Sequence, residues 1–323
     1  MAEENILKRK IFKLIGYLIA LASMFFVIRF FIGTEIPWGL LANPITIFLL
    51  SLCILLGIVN IFLSAFIWKR ILSFIANKNI EYSSVYPVYI QSNLAKYLPG
   101  NIMKFVSRNI LLKDIGLSQF QIAFSSAIDF GTATFASILL ALIIAYQSLI
   151  ISLQQFIPLS VGNIFLLALF VGLMLFSIAI YTWLSPKNSK YRKAVKKYMS
   201  VKFFSLFVSN MLIIISMYAV GNVAFLFALN SIINITFSQA TAIIGALLVT
   251  GVITVIVPGA PAGIGVREAL ATFLLFGVVD TSVLPIILVI TRLAMVISDV
   301  LAYLILTVFS SKKFNEVIWR ENK

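Results

Sequence analysis

The sequence has no histidine and only one cysteine, Cys53, so several kinds of chemistry are excluded at the outset. Without histidine the chain lacks the commonest general base and the commonest metal ligand, and a histidine-based catalytic triad cannot form. One cysteine cannot make an intramolecular disulfide or a cysteine-based metal site. A phosphate-binding loop of the form GxxxxGK followed by Ser or Thr is also missing. We therefore expect no cofactor and no metal.

Charged residues are scarce as well. They make up 11% of the chain, hydrophobic residues make up 61%, and the mean hydropathy is +1.07. A soluble domain is about half apolar and a quarter charged, so this chain has too little polar surface to cover a globule. The net charge of +14 comes from short basic runs between long apolar stretches. That pattern is typical of a membrane protein lying against anionic lipid, and we expect no nucleic-acid partner.

The apolar stretches predict an all-α polytopic membrane protein. A membrane span needs roughly 20 apolar residues. Six stretches satisfy this requirement: 11–32, 45–67, 120–146, 161–184, 203–229 and 283–309. Two further apolar segments are predicted to be broken or re-entrant helices. The first is 71–113, interrupted by Pro87 and Pro99-Gly100, and the second is 237–280, interrupted by Pro258-Gly259, Pro261, Gly263 and Gly265.

The placement of Lys and Arg predicts the topology. Apart from Arg29, Arg267 and Arg292, all basic residues lie in the two terminal tails and in segments 68–118 and 185–202. Basic residues concentrate on the cytoplasmic side of a membrane protein. We therefore expect an inner-membrane protein with both termini in the cytoplasm.

This topology predicts an inverted repeat of two halves, residues 1–150 and 151–323. Each half contains three full spans and one broken segment. The second half has the same order of elements as the first but the opposite orientation in the membrane. The spacing Pro-Gly-x7-Arg occurs in both broken segments, ending at Arg108 and at Arg267. Inverted repeats with helices broken at corresponding positions are typical of transporters, whose binding site lies at the breaks.

The breaks themselves indicate where a ligand would bind. Non-helical backbone at membrane depth persists only where protein or a water-filled cavity satisfies it. The helix N-termini at a break favour an anionic group, and Gly259, Gly263 and Gly265 allow it to approach the backbone. The alternative is a kinked helix closed by its neighbours.

Charged residues inside the apolar segments are the other candidates. Around the first break, Lys96 and Lys104 are expected either to bind an anionic head group or to be ordinary cytoplasmic-side charges. Arg108 is expected to bind the phosphate of the head group, because the same spacing recurs at Arg267. After the second break we expect Arg267 to bind substrate, with Glu268 as its orienting partner or as a proton carrier. Asp129, Arg292 and Asp299 lie within spans, where a charge is either functional or structurally paired, for example Asp129 with an arginine of the other half. The candidate binding residues are Lys96, Pro99, Gly100, Lys104, Arg108, Asp129, Pro258, Gly259, Gly263, Gly265, Arg267, Glu268, Arg292 and Asp299.

Aromatic residues near the ends of the apolar stretches have a simpler interpretation. Since Tyr and Trp are enriched at membrane–water interfaces, six of them are expected to be interfacial anchors and not cofactor contacts: Tyr86, Tyr89, Tyr97, Trp38, Trp68 and Trp183.

The two broken segments resemble a known family. Residues 93–100, Asn-Leu-Ala-Lys-Tyr-Leu-Pro-Gly, continue to Arg108 and to Gly-Leu-Ser at 116–118, and residues 261–269 read Pro-Ala-Gly-Ile-Gly-Val-Arg-Glu-Ala. Both are similar to signatures of the lysylphosphatidylglycerol synthase transmembrane-region family. This family is also called flippase-like and includes the flippase part of the multiple-peptide-resistance factor. Ala262 replaces the first glycine of the usual pair.

The resemblance implies lipid translocation between leaflets. Because the chain ends at Lys323, soon after Phe309, we expect no aminoacyl-transferase domain. The lipid would be aminoacylated phosphatidylglycerol or a polyprenyl-phosphate-linked sugar, with an anionic or zwitterionic head group. Two alternatives stay open: a lipid-modifying membrane transferase, and a non-catalytic partner of an envelope synthase. The sequence leaves the direction of transport, the energy source and an oligomeric state open.

Overall fold

Helices form wherever the apolar stretches are long, because each backbone polar group in lipid must be satisfied within the segment. The computed structural model describes residues 39, 43–97, 103–112, 116–154, 200–256, 263, 266–280 and 283–309. Within these residues there is no β-strand. The α-helices of this part are α1 (Pro44–Ala76), α2 (Tyr82–Leu94), α3 (Met103–Leu111), α4 (Gln119–Gln154), α5 (Val201–Asn230), α6 (Phe237–Ile256), α7 (Val266–Leu275) and α8 (Leu284–Phe309).

Five of these helices, α1, α4, α5, α6 and α8, are long and apolar enough to cross a membrane. Large apolar side chains remain exposed on their outer faces, as on Ile45 and Phe48 of α1 and Phe204 of α5. Contiguous apolar surface of this kind needs lipid or a partner around it. The prediction of an all-α multi-pass membrane protein is confirmed at this level. The predicted spans 11–32 and 161–184 lie outside the described residues.

The first broken segment is shorter than the sequence indicates. Helix α1 continues past residue 71 and ends at Ala76, where the C-cap residue Asn77 takes a left-handed conformation with φ of 51°. The backbone N–H groups of Asn77 and Lys78 donate to the carbonyls of Phe74 and Ser73. This satisfies carbonyls that a helix C-terminus otherwise leaves unpaired.

Pro87 does not interrupt the helix, contrary to the prediction. It lies inside α2, which continues to Leu94. The interruption comes later, at a 3₁₀ turn over Ala95–Tyr97 before α3 begins at Met103. Pro99 and Gly100 fall in this interruption but lie outside the described residues.

The second broken segment consists of α6, α7 and the connection between them. Gly263 lies in this connection with φ of +70°, and a Cβ placed there would lie 2.6 Å from Cβ of Thr254 in α6. The conformation and the close approach both require glycine. Pro258, Gly259 and Gly265 lie outside the described residues, so their predicted approach to a ligand stays a prediction.

The two broken segments pack on spans distant in sequence. Helix α2 packs against α1, α3 and α8, whereas α6 packs against α4 and α7. Helices α1 and α5 pack on each other. Each broken segment therefore contacts the final described span of the opposite part of the chain.

Helices α1 and α8 approach each other closely at Gly57. A Cβ at Gly57 would lie 2.3 Å from Oγ of Ser298, which donates a 3.0 Å hydrogen bond to the carbonyl of Ile54. Small residues allow helix backbones to approach closely in membrane proteins.

The Gly57→Ala variant should be less stable, because the added methyl group must push α8 away from α1. Overpacking of this kind costs about 1–3 kcal/mol. Thermal unfolding of the purified protein in detergent micelles measures the loss. Gly131→Ala is the matched control, since a Cβ at that helical position meets nothing within 4 Å. Equal midpoints for the two variants would contradict the close approach.

Candidate functional site

A cavity of about 520 Å³ lies inside the bundle, and every described helix contributes to its wall. Apolar side chains such as Ile61, Phe130 and Leu247 form much of this wall. The charged residues that line it are Lys96, Lys104, Asp129, Arg267 and Asp299. The sequence predicted all five as candidate binding residues, and the fold brings them to one cavity.

Asp299 is the centre of a polar network that joins the first break to α8. Its carboxylate is 2.6 Å from Nζ of Lys96 and accepts hydrogen bonds of 2.6 Å from Nδ2 of Asn93 and from Oη of Tyr97. Asp299 is 3% exposed. Three donors compensate for the removal of this carboxylate from water. Tyr97 therefore acts as a partner of Asp299.

Arg108 and Asp129 form a second pair, in which Asp129 lines the cavity and Arg108 lies behind it. Nη1 of Arg108 lies 2.9 Å from Oδ2 of Asp129, and Nε lies 3.4 Å from Oγ of Ser92. The Arg108 side chain is 0% exposed. The sequence left open a structural pairing of Asp129 with an arginine of the other half. In the structure Asp129 is paired, but its partner, Arg108, belongs to its own half.

Aromatic rings enclose the Arg108 guanidinium. Its Cζ lies 4.4 Å from the ring centre of Trp68 and 4.3 Å from that of Tyr89. A guanidinium stacks favourably on aromatic faces, more so when both are desolvated. Trp68 and Tyr89 are both buried, and Nε1 of Trp68 donates to Oγ of Ser125. These two residues were expected to be interfacial anchors, and the structure instead places them in the core around a charge.

The second break has its own ion pair. Nε of Arg292 lies 2.7 Å from Oε1 of Glu268, and Nη2 donates a 3.0 Å hydrogen bond to the carbonyl of Gly263. Arg292 therefore holds both the connection and the first turn of α7 against α8. Glu268 was expected to orient Arg267, but in the structure its ion-pair partner is Arg292.

Two cations are left without an acidic partner in the part of the chain that the structure describes. Nζ of Lys104 lies 5.5 Å from the ring centre of Tyr89, and no carboxylate forms an ion pair with it. Nε of Arg267 is buried and makes no hydrogen bond. Both side chains line the cavity. Both side chains are partly exposed. A cation at membrane depth without a partner is costly, so an anion entering the cavity would be stabilised there.

Lys104 and Arg267 hold the same position in their helices. Each is the second residue of the short helix that follows a break, α3 for Lys104 and α7 for Arg267. Asp129 and Arg292 then follow them by the same separation of 25 residues. At the start of a helix, unpaired backbone N–H groups add to the attraction for an anion.

Sequence reasoning missed several of these residues. Asn93 and Ser92 were not singled out, although a polar face of α2 was readable from their spacing to Tyr89 and Lys96, which repeats with the helical period. Nothing in the sequence indicates that Trp68 covers Arg108.

Comparison with protein-family models, curated proteins and solved structures finds no match to this chain. Among the described residues, no group of three or more Cys, Asp or Glu side chains could hold a metal ion. The site is therefore interpreted from its own geometry.

Removing one member of the Arg108–Asp129 pair should destabilise the protein strongly. Arg108→Met and Asp129→Leu each leave one buried charge without its partner, which costs about 3–5 kcal/mol. The double variant carries neither charge, so its loss should be smaller than the sum of the two. Unfolding in detergent measures all three. Fully additive losses would show that the two side chains do not act as a pair.

Proposed function

We propose that this protein is a lipid transporter of the flippase type, which moves a phosphate-bearing lipid between the leaflets of the inner membrane. The observation that carries the proposal is the pair of cations, Lys104 and Arg267, that face the cavity with no carboxylate partner among the described residues. The resemblance of both broken segments to the flippase-like family supports the same conclusion.

The cavity has the mixed character that a lipid head group requires. Its apolar wall is continuous with the bundle interior, and its charged residues come from both broken segments. A phosphate group pays a large desolvation penalty in hydrocarbon, so it crosses only where protein charges replace water. The acyl chains remain in the bilayer while the head group uses this polar path.

The proposed mechanism is alternating access between two inverted halves. Three observations support it: Lys104 and Arg267 occupy equivalent positions in α3 and α7, α2 packs on α8, and α6 packs on α4. Equivalent cations in inverted halves would receive the phosphate from opposite leaflets. Lys104 therefore takes the role that the sequence assigned to Arg108, because Arg108 is occupied by Asp129.

The inverted topology can be tested with single cysteines in a Cys53→Ala background. Asn79 and Asn234 are both exposed, and they lie at the α1–α2 and α5–α6 junctions. We expect Asn234→Cys to react with a membrane-impermeant maleimide in intact spheroplasts, and Asn79→Cys to react only after lysis. Labelling of both from the same side would exclude the inverted arrangement.

Transport itself is tested in reconstituted vesicles that contain fluorescent phosphatidylglycerol, by following head-group movement with a reductant outside. Lys104→Ala and Arg267→Ala should each slow movement by roughly ten- to a hundredfold, the worth of a charge-assisted hydrogen bond to phosphate. Lys202→Ala is the matched control, since Lys202 is exposed and does not line this cavity.

The same assay separates the alternatives. If wild-type protein moves lipid no faster than protein-free vesicles, the transporter proposal fails, and a lipid-modifying transferase or a partner of an envelope synthase remains. If wild type is active but both cavity variants match it, the proposed site is wrong although the activity stands.

A further inference from the structure

The balance of charge around the cavity narrows the substrate class. Resting on the proposed function, we infer that the head group carries two negative charges and no ammonium group, as a phosphomonoester or a diphosphate does. Aminoacylated phosphatidylglycerol, one of the two lipids that the sequence left open, would then be excluded.

The chain has too few acidic residues near the cavity to neutralise all of the cations around it. Between residues 36 and 315 the sequence contains only Glu81, Asp114, Asp129, Glu268, Asp280 and Asp299. Glu81 precedes α2 and accepts a hydrogen bond from exposed Ser83, and Asp280 is exposed. Asp114 lies outside the described residues. In the part of the chain that the structure describes, three carboxylates therefore lie within the bundle: Asp129, Glu268 and Asp299.

Five cations surround these three carboxylates. Lys96, Arg108 and Arg292 each have an ion-pair partner, at 2.6, 2.9 and 2.7 Å. Lys104 and Arg267 have none in the described part of the chain, and both line the cavity. Two positive charges therefore remain, and a ligand that neutralises them carries two negative charges.

A head group with an ammonium group meets the opposite situation. The two carboxylates that line the cavity are Asp129 and Asp299, and each is already bound by a cation at hydrogen-bonding distance. An ammonium group would have to displace Arg108 or Lys96 from its partner. It would also lie near two unpaired positive charges, so its binding is opposed both by repulsion and by the loss of a pair.

The positions of Lys104 and Arg267 strengthen the preference for an anion. Each begins a helix that follows a break, where free N–H groups carry partial positive charge. Arginine binds phosphate oxygens through two parallel hydrogen bonds, and the buried Nε of Arg267 has no hydrogen-bond partner that would compete.

The first test is binding by the purified full chain in detergent at pH 8, where a phosphomonoester carries both charges. Stabilisation against thermal unfolding reports binding of dioctanoyl phosphatidic acid, dioctanoyl phosphatidylglycerol and lysyl-phosphatidylglycerol. Phosphatidic acid should bind at least about tenfold more tightly than phosphatidylglycerol, because its second charge adds a charge-assisted hydrogen bond. Equal or tighter binding of lysyl-phosphatidylglycerol would overturn the inference.

Charge-removing variants give the matched controls. Lys104→Gln and Arg267→Gln should each bring the preference for phosphatidic acid over phosphatidylglycerol close to one, whereas Lys202→Gln should keep it. If both cavity variants kept the wild-type preference for phosphatidic acid, the second negative charge would be bound elsewhere, and the assignment of Lys104 and Arg267 to the dianion site would be wrong.

Vesicle experiments separate a lipid source of the dianion from a soluble one. Movement of acyl-labelled phosphatidic acid faster than lysyl-phosphatidylglycerol supports both the inference and the lipid function. If all three lipids moved at the same rate, the proposed transporter function would be supported and the inferred preference for a dianionic head group would be wrong. Uptake of radiolabelled inorganic phosphate without lipid movement would keep the dianion site and remove the lipid function.

Discussion

A charge inside a membrane bundle is costly without a partner, and among the described residues this bundle provides three carboxylates for five cations. Each of these ion pairs joins a residue of a broken segment to a residue of a long span. Arg108–Asp129 ties α3 to α4, Glu268–Arg292 ties α7 to α8, and Lys96–Asp299 ties the first break to α8. The broken segments are therefore held against the spans by charge as well as by packing.

These pairs differ in how firmly they hold. Arg108 is 0% exposed, whereas the side chain of Lys96 is 22% exposed. An ion pair that water reaches is weaker than one sealed between aromatic rings. Arg108–Asp129 joins segments of one predicted half, and Lys96–Asp299 joins the two halves. We therefore expect the Lys96–Asp299 contact between the halves to exchange more readily than Arg108–Asp129, as the proposed alternating access requires.

The sequence alone predicted the spans and the charged residues of the candidate site, but it did not predict which charged residues form ion pairs with each other. Hydropathy is decisive in lipid, so the four predicted spans that fall in the described residues coincide with helices. Partners are set by three-dimensional packing, which explains why Glu268 was assigned to neighbouring Arg267 and not to Arg292, 24 residues away. Pro87 misled for a related reason, since a proline removes one hydrogen bond but packing of α2 on α1 and α8 preserves the helix.

The repeated spacing Pro-Gly-x7-Arg shows why identical residues need not be equivalent. It equates Arg108 with Arg267, but Arg108 lies in the last turn of α3 whereas Arg267 lies in the first turn of α7. Lys104 is the residue in the matching place. The ion pairs behave similarly, because Asp129 and Arg292 correspond in position but carry opposite charges. A cation in α3 pairs with an acid in α4, and an acid in α7 pairs with a cation in α8, so the two ion pairs have opposite polarity along the chain. Both broken segments therefore form one ion pair at equivalent positions, and each leaves one cation, Lys104 or Arg267, without an acidic partner among the described residues. Sequence alignment does not detect this similarity, because the residues at equivalent positions differ in type.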